Sequence, residues 1–217
     1  IIISAIEHKA VMESAKVLEK EGFEISIAPV NAEGIVDINI LESLINSRTI
    51  LVSVMYANNE IGTIQPISEI ASLIREFRDK NGTQFPFLHT DACQVAGYLD
   101  INIDNLGVDL MSLNGSKIYG PKGIGILFKR NEIKISPIIV GGEQENNLRA
   151  GTESLPLMVG FTEALKKSVK QRDKESARLS MLRDYFISEL QTKIKDLIVN
   201  GSLVSRLPNN IHVSIPN

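Results

Sequence analysis

The stretch "TILVSVM", Thr49 to Met55, decides how the fold is interpreted. It is a continuous apolar run, and such runs are typical of strands that are buried on both faces of a parallel sheet. Helical and strand patterns alternate on both sides of it, with no internal repeat or low-complexity segment. This alternation predicts an α/β fold, a three-layer sandwich with a mostly parallel sheet.

Apolar spacing predicts the helices around this strand. A first helix begins near Glu7 and ends at Gly22, and a second helix over residues 36–46 has Asp37 as a plausible N-cap. A third apolar stripe begins at Ile67, and helical spacing returns from Pro156 onward. Further strands are predicted over residues 23–30, 85–91, 109–115 and 123–130.

These patterns suggest two parts of unequal size. We expect residues 1–172 to form a large domain, and residues 173–217 to form a long helix and the beginning of a small C-terminal α+β domain. The chain begins without methionine and stops within a strand-like pattern. We therefore expect both ends to be truncated.

Composition excludes several classes of protein. The formal net charge is -3, without a block of like charges, so direct nucleic-acid binding is not expected. No apolar run approaches the ~20 residues of a membrane span. The single cysteine, Cys93, excludes an internal disulfide framework and suits a reducing compartment, so we expect a cytoplasmic protein.

Polar side chains follow three of the predicted strands. In α/β sheets, ligands bind outside the carboxyl ends of the strands. Asn59 follows the first of these strands, Asp91 and Gln94 follow the second, and Ser116 and Lys117 follow the third. Near the N-terminus, His8 lies in the predicted first turn of a helix.

This set of groups favours one kind of chemistry. There is no nucleophile-elbow serine, and the pair His89 and Cys93 lacks further ligands at metal spacing. A lysine that is desolvated and neutral can form a Schiff base with an aldehyde. Pyridoxal phosphate supplies such an aldehyde and needs an acid at its ring nitrogen, which Asp91 could provide. Gln94, on the first turn of a helix that we expect directly after Asp91, could then bind the ring hydroxyl, and Ser116 the phosphate.

Five motifs resemble those of cysteine desulfurases, within the class V aminotransferase family of fold-type I pyridoxal phosphate enzymes. They occur in the family's order and cover nearly the whole chain. The motifs are "EHKAV" (7–11), "ILVSVMYANNEIGTIQPI" (50–67), "HTDACQVAG" (89–97), "GVDLMSLNGSKIYGPKGIGILF" (107–128) and "GGEQENNLRAGTESLPLMVGF" (141–161).

The resemblance implies a role for each matching residue. Lys117 matches the lysine that carries the cofactor, and Asp91 the carboxylate at the pyridine nitrogen. Gln94 matches the contact to the ring hydroxyl, and His8 the imidazole that stacks on the ring and helps to move protons. Asn59 falls where the family has an asparagine near the ring and the substrate carboxylate.

Two further positions of the motifs concern the phosphate. Thr152 matches a threonine that reaches the phosphate of the partner subunit, which implies a homodimer with shared sites. The family commonly has a histidine directly before the lysine and a serine two residues before that histidine. Ser116 and Asn114 take these places here, and both could still bind the phosphate.

The resemblance implies conversion of L-cysteine to L-alanine, with sulfur passed to an enzyme cysteine and then to an acceptor such as an iron–sulfur scaffold or the machinery that thiolates RNA. The family's upstream phosphate loop, its arginine for the substrate carboxylate and its persulfide-forming cysteine have no counterpart here, and Cys93 does not match that cysteine. We therefore expect these residues alone to be inactive. A selenocysteine lyase or another class V aminotransferase is the first alternative, and a truncated, non-catalytic dimerising domain is the second.

Overall fold

A six-stranded sheet forms the centre of the computed structural model, which describes residues 1–216. The strand order is β2-β1-β3-β4-β5-β6, and every neighbouring pair is parallel except β5 and β6. The predicted α/β fold with a mostly parallel sheet is therefore confirmed. The strands are β1 (Ile2–Ser4), β2 (Ser26–Ala28), β3 (Leu51–Ser53), β4 (Phe87–Asp91), β5 (Leu110–Asn114) and β6 (Gly125–Lys129).

Six α-helices and one 3-10 turn (Gly115–Ile118) accompany the sheet in the described part of the chain. Asp37 is the N-cap of α2 as predicted, because its Oδ1 accepts hydrogen bonds from the Asn39 and Ile40 amides. The helices are α1 (Lys9–Lys20), α2 (Ile38–Leu44), α3 (Ile67–Asn81), α4 (Ile103–Leu106), α5 (Gln144–Asn147) and α6 (Leu155–Lys193).

The two faces of the sheet differ in character. Successive side chains of a strand point to opposite faces. One face carries Val52, Leu88 and Met111, which are buried in the main core under α2, α3, α4 and α6. The opposite face carries the polar side chains Ser53, His89, Asp91, Ser112 and Asn114. The core therefore fixes the strands from one side, whereas the opposite face carries these polar groups together with apolar residues such as Ile3 and Leu110.

The sheet has a topological switch point between β1 and β3. From β1 the chain moves outward to β2, and it then returns across β1 to β3 and continues in the other direction. Such reversals open a crevice at the carboxyl ends of the two diverging strands, where ligands bind in α/β folds. The residues that follow β1 and β3 therefore lie at the preferred ligand position.

The C-terminal part of the chain contacts the loop that follows β3, at the carboxyl ends of the strands. Helix α6 has 39 residues and continues without interruption past residue 172, where we expected the large domain to end. A two-stranded antiparallel ribbon follows, made of β7 (Ile198–Val199) and β8 (Val213–Ser214). The Leu207 amide donates to the Gly62 carbonyl at 2.8 Å, and the Ile64 amide to the Ser205 carbonyl at 2.8 Å. Residues 205–207 thus pack against the loop after β3, and the division into domains stays a prediction.

No helix within residues 1–216 is both long enough and apolar enough to cross a bilayer.

Candidate active site

Asp91 lies at the end of β4, beside Ser112 of β5 in the sheet register. Its Oδ1 accepts a hydrogen bond of 2.9 Å from the Cys93 amide, and its backbone carbonyl accepts one of 2.9 Å from the Tyr56 amide. Residues 93–98 form turns, so the helix that we predicted directly after Asp91 was wrong. Gln94 lies half-buried in these turns and not in a first helical turn.

Lys117 lies on the 3-10 turn that follows β5. Asn114 caps this turn, because its Oδ1 accepts hydrogen bonds from the Ser116 amide at 2.9 Å and from the Ser116 hydroxyl at 2.8 Å. Tyr119 then ends the turn in the left-handed region, with φ 61°. Strand, cap and turn together fix the backbone from which the lysine side chain extends.

Gly115 lets this turn pack closely on the core. A Cβ atom at this position would lie 2.9 Å from the Pro121 carbonyl oxygen and 3.0 Å from the side chains of Ile124 and Phe161. Any larger residue would push the turn outward. The backbone of the turn therefore lies close to the core, and the contact with Phe161 shows that α6 forms one wall of it.

The side chain of Lys117 is exposed within residues 1–216. We had expected a desolvated lysine, and the residues present do not provide that burial. Lys117 and Asp91 nevertheless lie at the ends of neighbouring strands, and the charges of both act on the Cys93 thiol. Burial is the main cause that raises the pKa of Cys93, and the hydrogen bond with Asp91 and its negative charge add to it. A thiol that holds its proton is a poor nucleophile.

A cavity of about 370 Å³ lies beside Lys117, between the 3-10 turn and α6. Its walls include Tyr98, Lys167 and Arg178, but among the predicted site residues only Lys117 contributes to the described lining. The other predicted site residues therefore lie outside the described lining of this cavity.

His8 is the N-cap of α1, where we had predicted a position in the first turn. Its Nδ1 accepts a hydrogen bond of 3.1 Å from the Ala10 amide, and its ring is exposed. Because Nδ1 is the acceptor, a neutral ring carries its proton on Nε2. The cap therefore sets both the position of the imidazole and its tautomer.

Asn59 lies half-buried in the loop after β3, next to the buried Asn58. Asn58 holds this loop, because its Oδ1 accepts from the Glu60 and Ile61 amides at 2.9 Å and its Nδ2 donates to the Ile6 carbonyl at 2.9 Å. The exits of β1 and β3 are thereby joined, which brings the segments of His8 and Asn59 together.

His89 forms a polar bridge across three strands below Asp91. Its Nδ1 lies 2.8 Å from the Ser53 hydroxyl of β3, and its Nε2 lies 2.9 Å from the Ser112 hydroxyl of β5. Burial lowers the pKa of His89, while the negative charge of Asp91 acts in the opposite direction. The imidazole is therefore neutral near pH 7 and serves to connect the strands.

Thr152 lies apart from the other predicted site residues. It is exposed on the segment that leads into α6, and no hydrogen bond within the described chain joins it to them. Exposed apolar side chains surround it in sequence: Ile138 is 96% exposed, Val140 78% and Leu155 69%.

Glu7 is a residue that our sequence analysis did not select. Its side chain is buried between the ends of β1 and β3, and it accepts hydrogen bonds of 2.6 Å from the Ser4 hydroxyl and the Met55 amide. In the sequence "SAIEHKAV", Glu7 lies between a strand and a helix cap, and this position was the available signal that it contributes to the site. Burial, which only the fold shows, distinguishes it from the exposed glutamates of α1.

Comparison with known proteins identifies the family of the chain. The family described as aminotransferase class-V matches residues 1–215. The cysteine desulfurase IscS of Dictyoglomus turgidum is 48% identical over 214 residues, which are 99% of this chain and 52% of that protein. Cysteine desulfurase IscS 1 of Archaeoglobus fulgidus is 43% identical over 213 residues, 98% of this chain and 53% of that protein.

The solved structures agree with this similarity. A NifS-like protein superimposes with a TM-score of 0.91 and 37% identity, over 99% of this chain and 57% of that one. The chain spans about half the length of the curated relatives it matches. The resemblance to cysteine desulfurases of the class V aminotransferase family is thus confirmed, and the chain belongs to the aminotransferase class-V family.

Proposed function

We propose that this chain is part of a pyridoxal phosphate-dependent cysteine desulfurase, which converts L-cysteine to L-alanine and passes the sulfur to an enzyme cysteine other than Cys93. One observation carries the proposal. An exposed lysine and a carboxylate leave neighbouring strands at the carboxyl edge of the sheet, in a chain whose relatives are named cysteine desulfurases.

The donor set at this edge fits pyridoxal phosphate. When bound, this cofactor supplies an aldehyde for a lysine amine and a protonated ring that draws in electrons from bonds at the substrate Cα. Asp91 uses Oδ1 for the Cys93 amide, and a carboxylate has a second acceptor oxygen, Oδ2. That second oxygen can accept the ring N–H.

The remaining groups would orient the cofactor and the substrate. Lys117 would hold the cofactor, and its amine, once released, would take the proton from the substrate Cα. Gln94 would bind the ring hydroxyl, and Asn59 would lie near the ring and the substrate carboxylate. His8 would stack on the ring, with Nε2–H available to donate a proton.

The phosphate would be held from two subunits. Asn114 would donate from Nδ2, because its Oδ1 already accepts from Ser116. The Ser116 hydroxyl would have to leave Asn114 in order to donate to the phosphate. Thr152 would reach the phosphate of a partner subunit, and the exposed apolar residues near it support a homodimer.

Sulfur would pass from the enzyme to an acceptor protein, such as an iron–sulfur scaffold, or to RNA thiolation. We place this activity in the cytoplasm, in keeping with the single cysteine of the chain. These partners rest on the names of the relatives and on the motifs in the sequence.

The test uses the full-length protein that contains this chain. We expect added pyridoxal phosphate to give visible absorption that Lys117→Ala abolishes, while Lys122→Ala, a change of an exposed lysine in the same loop, retains it. Given L-cysteine and a thiol reductant, which releases the persulfide sulfur as sulfide, wild-type protein should form alanine and sulfide. Absorption that survives Lys117→Ala, or an intact chromophore without alanine formation, would contradict the proposal.

A further inference from the structure

Glu7 occupies the gap between β1 and β3 at the switch point. Its side chain is almost fully buried, with 6% of its surface exposed. Both of its hydrogen bonds, from the Ser4 hydroxyl and the Met55 amide, are made to the same oxygen, Oε1, at 2.6 Å. The other oxygen, Oε2, is buried and has no hydrogen-bond partner within residues 1–216.

The Met55 amide needs this side chain because β1 is too short to provide a partner. Ile2 and Ile3 pair with Val52 and Ser53, and β1 ends one residue later. Successive amides of a strand point alternately to its two neighbours. The Val54 and Tyr56 amides donate to carbonyls of β4, so the Met55 amide faces the side of β1. There, Glu7 Oε1 takes the place of the missing strand carbonyl.

This contact links two of the proposed site residues. His8 follows Glu7 directly and caps α1, so the anchored carboxyl fixes the point from which the imidazole extends. On the other side, the Tyr56 amide next to Met55 donates to the Asp91 carbonyl at 2.9 Å. Glu7 therefore spans the path between His8 and Asp91.

The charge of Glu7 also acts at this place. Burial is the main cause that raises the pKa of Glu7 to about 7, with a smaller contribution from the negative charge of Asp91, while the hydrogen bonds from Ser4 and Met55 lower it. Asp91, at the end of β4, is the charged group among the described residues that acts on Glu7. Near neutral pH the carboxyl thus changes between a neutral acid and a second negative charge beside Asp91.

We propose that Glu7 is a positioning residue of the cofactor site. It holds His8 and Asp91 in their relative positions, and when it is ionised its charge adds to the negative electrostatic potential at Asp91. This inference rests on the proposed function. When Glu7 is ionised, the added negative charge favours a protonated, positively charged cofactor ring at Asp91. When Glu7 is neutral, only the geometric role remains.

The first experiment follows the visible absorption of bound pyridoxal phosphate against pH in the full-length protein. Wild type should show a spectral transition with a midpoint near 7, as set by Glu7. Glu7→Gln keeps the Oε1 acceptor and should bind cofactor but lose that transition. Glu7→Ala should lose the transition as well, and it should bind the cofactor about tenfold more weakly than wild type. Glu7→Gln should bind the cofactor with the affinity of wild type. Glu13→Gln, which changes an exposed glutamate of α1, should match wild type.

The second experiment needs no cofactor. In the apoprotein with ¹⁵N-labelled methionine, the Met55 amide signal should shift with a midpoint near 7 in wild type and not in Glu7→Gln. A normal chromophore with the same pH profile in wild type and Glu7→Gln would overturn the Glu7 proposal alone, as would a Met55 signal that does not respond to pH. Wild-type protein without visible absorption would overturn the proposed function, and this inference with it.

Discussion

The two sides of the proposed site are built differently. The switch-point side, residues 4–8 and 55–62, holds Glu7 and Asn58, which are buried and hydrogen-bonded across separate segments. The lysine side, residues 112–120, ends in exposed Ser116 and Lys117, and Tyr119 is 92% exposed. The side-chain contacts of Asn114 and Ser116 next to the lysine are local. One side is fixed by long-range contacts before any ligand binds, whereas the other presents its reactive group to solvent.

The largest expected effect is on the switch-point side, where Glu7 should make the free energy of unfolding depend on pH. The pKa of Glu7 is about 7 in the folded chain, compared with an ordinary value of 4.5. As the pH rises, the unfolded chain therefore loses this proton at a lower pH than the folded chain does. Its contribution to stability is therefore full below pH 4.5 and is lost as the pH rises to 7, by roughly 3 kcal/mol. Urea unfolding of wild type and Glu7→Gln at several pH values measures this. A difference between the two proteins that stays constant from pH 4.5 to 7.5 would contradict it.

Asn58→Ala should give the next largest effect. It removes the acceptor of the Glu60 and Ile61 amides and the donor to the Ile6 carbonyl. Loss of these partly buried bonds should lower the free energy of unfolding by about 2 kcal/mol. Asn59→Ala, one residue further and without a hydrogen bond in the described chain, should change it by less than about 0.5 kcal/mol. Equal losses for both variants would mean that the loop is not held by Asn58.

The smallest effects should come from the lysine side. Asn114→Ala removes the cap of the 3-10 turn and should cost about 1 kcal/mol in the free energy of unfolding. Lys117→Ala, which truncates an exposed side chain, should change it by less than about 0.5 kcal/mol. Chemical denaturation of both variants tests this, and a marked destabilisation by Lys117→Ala would show that the lysine has a structural role.

The local patterns predicted the scaffold of both sides well. The apolar run 49–55 contains β3, and the predicted exits after β3, β4 and β5 carry Asn59, Asp91 and Lys117 as expected. Strand burial and helix periodicity are encoded within a few neighbouring residues, and so is the cap at Asp37. The family motifs added order and spacing over nearly the whole chain.

The features that the sequence did not predict depend on both local and distant contacts. The helix predicted after Asp91 is replaced by turns, in which the Asp91 side chain binds the Cys93 amide. Glu7 was missed because its burial depends on where the chain leaves β1 beside the segment that follows β3, a property of strand pairing that neither strand reveals alone. Residues 205–207 contact the loop after β3 through backbone hydrogen bonds, which no side-chain pattern in the sequence predicts.

Helix α6 has a mechanical consequence. Near its start, Phe161 packs under the lysine turn, and Ser168 donates to the Ile118 carbonyl at 3.4 Å. Farther along, Arg183 donates to the carbonyls of Arg206 and Leu207. At 1.5 Å per residue the helix is a strut of about 58 Å. A load applied to the C-terminal segment therefore travels to the lysine turn through a continuous ladder of backbone hydrogen bonds, and not through a loop that could absorb it.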